Sequence, residues 1–323
     1  MAVHTRLTER LRIEHPILSA PMGFVSGGRL AASVTEAGGL GLLGGGYADP
    51  EWLDREVAAA GNARVGVGFI TWALAQRPES LELALSHAPA AIMLSFGDPR
   101  PFAPLIKQAG RLLICQVQTI AHTREALEAG ADIIVAQGTE AGGHGAKRAT
   151  FTLVPEVADL VARESPATLV VAAGGIADGR GLAAALMLGA DGVLVGSRFW
   201  ASEEALVHPD LQQAALRENG DATVRQIAAD IARGFDWPEE FTGRILQNDF
   251  TRRWVGNEAE HRKHAPAVRD AYFQAIAGGD AENSGIFVGE AIGIMERVLP
   301  AREIVEAMVN QAETLLSHGT SWR

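Results

Sequence analysis

The residues with the clearest chemical meaning are glycines that directly follow short apolar runs. One run is followed by Gly174 and Gly175, in the segment AAGGIADGRG, and the next by Gly196 and Ser197. Glycine lets the main chain approach an anion closely, and N–H groups at the start of a following helix can hold that anion. Two such turns predict a phosphate site. The alternative is that they are only tight connections between a strand and a helix.

A second group of residues surrounds one histidine. The segment QGTEAGGHG, residues 137–145, follows another apolar run, and His144 is the histidine, among nine, that lies in a glycine-rich loop of this kind. Imidazole is a natural proton acceptor near neutral pH, so His144 is the candidate catalytic residue. Glu140 in the same segment could orient the loop or His144, or could face solvent.

The elements that must position these residues form a repeating pattern. Short runs that are apolar on both faces, as in buried parallel strands, alternate with amphipathic stretches that often begin with Pro and end at Ala-Gly. The predicted strands are 16–22, 39–44, 64–70, 90–96, 111–117, 131–137, 167–173 and 192–196. The predicted helices are 28–37, 50–60, 78–87, 101–109, 119–129, 155–164 and 179–188. This α/β alternation predicts a (β/α)8 TIM barrel, whose active site lies at the C-terminal ends of its strands.

The pattern changes after Trp200. Residues 203–310 are rich in Gln, Glu, Arg and Ala with helical spacing, and no further strand is predicted there. We expect a helical cap and substrate domain at 203–282, inserted after strand eight, with 1–202 and 283–323 forming the barrel. A cap over the barrel mouth would create a composite site.

Composition and charge exclude several classes of protein. The 323 residues are 47% hydrophobic and 21% charged, which is typical of a globular protein. The net charge of −11, without a basic stretch, argues against nucleic-acid binding. Cys115 is the single cysteine, and no His and carboxylate cluster has metal-ligand spacing, so neither disulfide nor metal is expected. The chain begins without a signal-peptide hydrophobic run and has no membrane-spanning stretch, so we expect a cytoplasmic protein.

What remains is a phosphate-anchored, mostly apolar barrel mouth with amide side chains and one histidine. Met22 at the end of the first strand could pack against a flat ring, and Gln116 and Gln118 share one strand face. These features suit a flat phosphorylated redox cofactor, for which FMN is the simplest candidate. A flavin-free barrel that binds a sugar or heterocycle phosphate, or a non-catalytic binding protein, would use the same glycine turns.

Four motifs together resemble the nitronate monooxygenase family: APMG at 20–23, QGTEAGGHG at 137–145, AAGGIADGRG at 172–181 and GSRF at 196–199. The resemblance covers the barrel and nearly the full chain, and it implies an FMN-containing TIM barrel with a helical cap and His144 as catalytic histidine. It implies flavin contacts at Met22, Gln137, Gly174, Gly175, Gly196 and Ser197. Flanking residues complete the predicted cofactor site, and these are Ala20, Pro21, Gly23, Gln116, Gly142 and Gly143.

The resemblance implies an activity as well. An alkyl nitronate such as propionate 3-nitronate would react with O₂, through a flavin semiquinone, to give a carbonyl compound and nitrite. His144 would hydrogen-bond the nitro oxygens, and would act as the base if a neutral nitroalkane is accepted. Gly145 stands where the commoner family loop has Arg, and Ser197 where Thr is usual. These departures leave the physiological substrate open.

The main alternative is an FMN-dependent NAD(P)H:quinone reductase or enoyl-acyl-carrier-protein reductase. These enzymes belong to the same superfamily, and the chain resembles them in the barrel and in the loop that carries the histidine. NAD(P)H would then be a partner, and a cation near the flavin would help the ring to accept hydride. The quinone reductases carry a strand-five lysine where this chain has Gln116. Gln116 therefore favours nitronate oxidation, although a helix terminus or Arg148 could replace the lysine.

Overall fold

The computed structural model of the chain describes residues 3–318. Its strands are β1 (Ile17–Ser19), β2 (Leu42–Gly46), β3 (Gly66–Ile70), β4 (Ala91–Ser95), β5 (Leu112–Val117), β6 (Ile133–Gln137), β7 (Gly143–Gly145), β8 (Leu169–Ala173), β9 (Gly192–Val195), β10 (Thr223–Gln226) and β11 (Thr242–Leu246). Its α-helices are α1 (Arg6–Leu11), α2 (Gly28–Glu36), α3 (Pro50–Ala60), α4 (Thr71–Leu74), α5 (Glu79–Ser86), α6 (Ala103–Gln108), α7 (Ile120–Glu128), α8 (Thr150–Glu164), α9 (Gly179–Met187), α10 (Ser197–Trp200), α11 (Pro209–Leu216), α12 (Ala228–Arg233), α13 (Asp249–Trp254), α14 (Glu258–Gly278) and α15 (Ala301–His318). Two short 3₁₀ helices cover Gly220–Ala222 and Glu290–Ile294.

Eight parallel strands form the barrel wall, in the order β1-β9-β8-β6-β5-β4-β3-β2. A parallel bridge between Leu18 and Leu40 joins the two ends of this order, so the sheet closes on itself. The strands are buried on both faces, because one set of their side chains fills the barrel interior and the other packs under the helices. Leu7 and Leu11 of α1 join the interior cluster and close one end. The predicted (β/α)8 barrel is confirmed.

Most predicted helices match to within one or two residues at each end, and α3 matches at both ends. The exception is the helix predicted to begin at Pro155, because α8 begins at Thr150. Proline inside a helix leaves one carbonyl without its usual N–H donor. That carbonyl belongs to Phe151, which is 70% exposed, so water can satisfy it.

The segment after β9 contains strands, so the expectation of an entirely helical segment was wrong. β10 pairs antiparallel with β11, and β11 pairs with β7, which lies in the loop after the sixth barrel strand. The two strands are four and five residues long and each contains an arginine, so they lack the apolar signal of the barrel strands. The pairing of β11 with β7 could be recognised only in the folded chain.

The chain returns to the barrel after this excursion. Ser202 and Leu299 form a parallel bridge, so the polypeptide leaves and re-enters at adjacent points. α15 then packs against α9 and α2 and buries Ile304, Val305 and Met308. Burying side chains of this size contributes roughly 1.5–3 kcal/mol each. The bounds 203–282 for a cap stay a prediction. Within residues 3–318, no helix combines the length and the apolar character needed to cross a bilayer.

Candidate active site

One cavity of about 520 Å³ lies at the barrel mouth, under the segment that follows β9. Its volume falls in the range of cofactor and small-molecule sites, about 300–1,000 Å³. The cavity brings together every residue of the predicted site, which are Ala20, Pro21, Met22, Gly23, Gln116, Gln137, Gly142, Gly143, His144, Gly174, Gly175, Gly196 and Ser197. A hollow outside the barrel, between α2 and α3, contains none of them.

The glycine turns after β8 and β9 form one wall of this cavity. Gly174 and Gly175 have φ angles of 102° and 73°, a conformation that glycine adopts without strain. A Cβ atom at Gly174 would also lie only 2.8 Å from Thr150 Oγ1. Among residues 3–318, the backbone N–H groups of Gly174, Gly175, Gly196 and Ser197 find no acceptor. Four backbone N–H groups without acceptors at one wall of the cavity can bind an anion.

The loop that carries His144 is held from two sides. β7 places His144 opposite Gly243 of β11, so part of the loop is a strand. Glu140 accepts hydrogen bonds from the N–H and the hydroxyl of Thr150, at 3.0 and 2.8 Å, and so ties the loop to the start of α8. Of the roles considered for Glu140, the structure supports orientation of the loop.

Asp230 of α12 is the hydrogen-bond partner of His144. The ring Nε2 lies 3.0 and 2.9 Å from the two carboxylate oxygens, and the ring stacks on Trp237 with a centroid distance of 3.4 Å. Burial lowers the pKa of His144, and the charges of Arg233 and Arg225 add to this effect, although Asp230 opposes it. His144 is therefore neutral at neutral pH. Because a carboxylate only accepts, Nε2 carries the hydrogen and Nδ1 carries the lone pair.

The Nδ1 atom of His144 has no hydrogen-bond partner within residues 3–318, and the side chain lines the cavity. Its lone pair is therefore free to accept a proton from a ligand. Arg233 Nη2 lies 2.8 Å from Asp230 Oδ1 and 3.0 Å from Tyr47 Oη. Burial alone would raise the pKa of Asp230, but the hydrogen bond from His144 and the charge of Arg233 lower it, so this carboxylate stays ionised.

Gln137 at the end of β6 connects the barrel to His144. Its amide nitrogen donates to the backbone oxygen of His144 at 3.1 Å. Its amide oxygen accepts from Gln116 and Gln118, at 3.2 and 2.9 Å. The two glutamines on one face of strand five thus fix the orientation of Gln137, which in turn fixes the position of the catalytic candidate.

Two arginines from β10 and β11 fasten the same loop. Arg225 and Arg244 both donate to the backbone oxygen of Thr139, at 3.0–3.2 Å. Arg244 also pairs with Glu290 at 2.8 Å. Burial, together with the charge of Arg244, lowers the pKa of Arg225 to about 10. β10 and β11, which were not predicted from the sequence, therefore position the loop that carries His144.

Aromatic rings form another part of the cavity lining, around His144. Trp237 stacks on His144 and contacts Phe96 edge-on at 5.1 Å. Phe287 lies 5.9 Å from the His144 ring. Met22, predicted to pack against a flat ring, lines the cavity beside the glycine turns. The site thus combines an apolar interior with a few polar groups, as small-molecule sites usually do.

Cys115 and Asp178 contribute nothing to this chemistry. Burial raises the pKa of the Cys115 thiol to about 12, so it is a plain buried thiol. Asp178 caps α9 by accepting from the N–H groups of Arg180 and Gly181. Within the described part of the chain, no group of three or more His, Cys, Asp or Glu side chains could hold a metal ion.

Four residues around His144 were not predicted from the sequence, and these are Asp230, Arg233, Tyr47 and Trp237. Asp230 and Arg233 did leave a signal, since they are three residues apart in a short helix whose other residues are Ala and Ile. Two opposite charges on an otherwise apolar helix indicate a buried ion pair. Tyr47 and Trp237 are 190 residues apart, and no local pattern connects them.

Known proteins resemble this chain over most of its length. The sequence model of the family described as nitronate monooxygenase matches residues 4–66 and 60–311. The nitronate monooxygenase npaC of Metarhizium robertsii is 36% identical, over 93% of this chain and 92% of that protein. A relative in Mycobacterium tuberculosis, named (3aS,4S,5R,7aS)-5-hydroxy-7a-methyl-1-oxo-octahydro-1H-indene-4-carboxyl-CoA dehydrogenase, is 35% identical over 98% of both chains.

Among solved structures, FabK from Thermotoga maritima superposes with a TM-score of 0.87 at 31% identity, covering 99% of this chain and 100% of that one. The resemblance inferred from the four motifs is therefore confirmed across the barrel and the segment that covers it. The chain belongs to the nitronate monooxygenase family and is a flavin-dependent oxidoreductase.

Proposed function

We propose that this chain is an FMN-dependent nitronate monooxygenase that oxidises alkyl nitronates of the propionate 3-nitronate type with O₂. The products would be a carbonyl compound and nitrite. Family membership supports nitronate oxidation in general. The observation that carries the proposal is that a neutral histidine with a free lone pair lines the same cavity as four uncommitted backbone donors.

The residues of the cavity fit FMN as the flavin. The N–H groups of Gly174, Gly175, Gly196 and Ser197 would hold a phosphate, and one such cluster suits the single phosphate of FMN better than a dinucleotide. Met22 would pack against the flavin ring. Bound FMN would supply the electron acceptor and the reactivity towards O₂.

The protein's own contribution is proton transfer and orientation. With a neutral nitroalkane, His144 Nδ1 would accept the proton on the carbon next to the nitro group, and ionised Asp230 would stabilise the resulting imidazolium. A nitronate has already lost this proton. Because neutral His144 has no hydrogen on Nδ1, it could donate to a nitro oxygen only after it had taken up that proton.

The overall reaction balances for two nitronate ions and one O₂, which give two carbonyl molecules and two nitrite ions. The visible spectrum of the purified protein tests this proposal, recorded anaerobically before and after adding propionate 3-nitronate. We expect the spectrum of oxidised flavin at first, and that of one-electron-reduced flavin after the nitronate is added. When O₂ is admitted, the oxidised spectrum should return and nitrite should be released. Absence of flavin, even after incubation with FMN, would contradict the cofactor proposal.

A second candidate is hydride transfer to or from the flavin, in a reductase or dehydrogenase. The relative from Mycobacterium tuberculosis favours it, because its name describes a dehydrogenase that acts on a coenzyme A thioester. The same anaerobic experiment separates the two candidates. If the flavin absorbance does not change with the nitronate but is bleached by NAD(P)H, the result would support the reductase and contradict nitronate oxidation.

A further inference from the structure

Tyr47, in the loop after β2, is rigidly held at the edge of the cavity. Its ring stacks on Phe235 at a centroid distance of 3.8 Å and on Phe24 at 5.8 Å. The Trp72 ring meets it in an edge-to-face arrangement, at a centroid distance of 5.9 Å. Since rings contact Tyr47 on three sides, its hydroxyl has a fixed position, and the residue lines the same cavity as His144.

The Tyr47 hydroxyl already accepts two hydrogen bonds. Arg233 Nη2 donates to it at 3.0 Å and Trp237 Nε1 at 3.1 Å, and neither group can accept in return. Burial raises the pKa of Tyr47, so the O–H stays protonated at neutral pH. Within residues 3–318 nothing accepts its hydrogen. The hydroxyl is therefore a donor left for a ligand, with a cation behind it that strengthens the donation.

His144 cannot supply this hydrogen bond to an anion. Its Nε2–H points at Asp230, and its Nδ1 carries a lone pair. Trp237 touches both groups, since it stacks on the His144 ring and donates to Tyr47. The cavity thus holds a proton acceptor and a hydrogen-bond donor, fixed relative to each other by one indole and by Arg233.

We propose that the Tyr47 hydroxyl is a catalytic residue that donates a hydrogen bond to an anionic oxygen of the substrate. For the activity proposed above, on which this inference rests, that oxygen belongs to the nitronate group. The substrate class is a small oxyanion whose reacting carbon lies next to the charged group. His144 would then accept the proton of a neutral nitroalkane, whereas Tyr47 would donate a hydrogen bond to the nitronate anion.

The first experiment compares Tyr47→Phe with the wild-type holoenzyme. A hydrogen bond to a charged group corresponds to about 10- to 100-fold in binding. We therefore expect kcat/KM for propionate 3-nitronate to fall by about 10- to 100-fold, and the Kd of nitrite, read from the flavin absorbance, to rise by a similar factor. Unchanged values of both would overturn the proposal.

The control is Ser80→Ala, which removes another buried hydroxyl beside the loop that carries Tyr47. Ser80 is fully buried, its hydroxyl donates to the backbone oxygen of Ala48 at 2.8 Å, and it does not line the cavity. We expect this variant to lose some stability but to keep kcat/KM and the nitrite Kd within about twofold. An equal loss in both variants would overturn the assignment to Tyr47.

A second measurement does not depend on how Tyr47→Phe folds. The chain has only two tyrosines, so wild-type protein grown with 3-fluorotyrosine should show two ¹⁹F resonances, and Tyr272→Phe identifies which one belongs to Tyr47. Both tyrosines line the cavity, but saturating nitrite should shift the Tyr47 resonance by more than that of Tyr272. No shift of the Tyr47 resonance would contradict the inference. Because nitrite binding needs no turnover, an enzyme that oxidises no nitronate but shows this shift would contradict the proposed function alone.

Discussion

The two walls of the cavity are built in different ways. The backbone wall is formed by the turns after β8 and β9, which offer main-chain N–H groups from Gly and Ser residues. The side-chain wall is formed by His144, with Asp230, Arg233 and Trp237 around it. A backbone site is held by its adjacent strand and helix, whereas the side-chain site depends on contacts between distant segments. The backbone wall therefore suits an anionic group of a ligand, and the side-chain wall suits proton transfer.

The largest effect should come from removing the base in the side-chain wall. We expect His144→Ala to lower kcat/KM for a neutral nitroalkane by about 10²- to 10⁴-fold, because a well-placed general base contributes that much. The loss with the corresponding nitronate should be far smaller, since that substrate needs no base. Steady-state kinetics on both substrates test this expectation, and equal losses would leave His144 as a binding group only.

Asp230→Asn should have the next largest effect. An amide can donate to the ring as well as accept from it, so His144 would lose its fixed tautomer, and neutral nitroalkane turnover should fall by about 10²-fold. Asp191→Asn is the matched control, because Asp191 is also buried and forms an ion pair, with Arg6 at 2.8 Å. Asp191 directly precedes β9, at the end of the strand away from the cavity. The control should lower stability but not kcat/KM. Similar kinetics in both variants would refute the role given to Asp230.

In the backbone wall, Gly175→Ala should weaken flavin binding by about tenfold, because an alanine at positive φ displaces the N–H groups of the turn. Gly130→Ala is the control, since its φ of 76° is close to the 73° of Gly175 and Gly130 lies outside the cavity. Both changes should lower stability by about 1–2 kcal/mol. Flavin titration of the apoprotein measures the difference, and equal flavin affinities would argue against a phosphate at this turn.

The smallest effect concerns pH. The pKa of His144 lies below its ordinary value of 6.5 because of burial, so the base stays neutral as the pH falls through 6.5. We expect kcat/KM for a neutral nitroalkane to hold through pH 6.5 and to fall only at lower pH. The same shift affects stability. As the pH drops below 6.5, His144 becomes protonated in the unfolded chain before it does in the folded chain, so the free energy of unfolding falls. A midpoint of the activity profile above 6.5 would contradict a buried neutral base.

The positions of several residues at the barrel mouth could be predicted from local sequence. A strand of four to six residues must be followed by a turn, and the residues of that turn face the mouth whatever the rest of the chain does. The positions of Gly174, Gly175, Gly196 and His144 at the mouth follow from this rule. The start of α8 was misjudged because proline usually marks a first turn, and here Pro155 lies inside the helix.

The side-chain wall could not be predicted in this way. His144 and Asp230 are 86 residues apart, and Arg233 and Tyr47 are 186 apart, so their meeting depends on how α12 docks over the mouth. β10 and β11 carry no strong strand signal, and they exist because β7 offers an edge with which β11 can pair.

The amino-acid sequence by itself determined the barrel, the glycine turns at its mouth and the candidate base, because each depends on residues close together along the chain. Only the tertiary structure decided the protonation state and the partners of that base. The pKa of His144 depends on burial and on charges from other segments, and the free lone pair on Nδ1 follows from the contact of Nε2 with Asp230. The donor role of Tyr47 likewise depends on Arg233 and Trp237, which only folding brings to it.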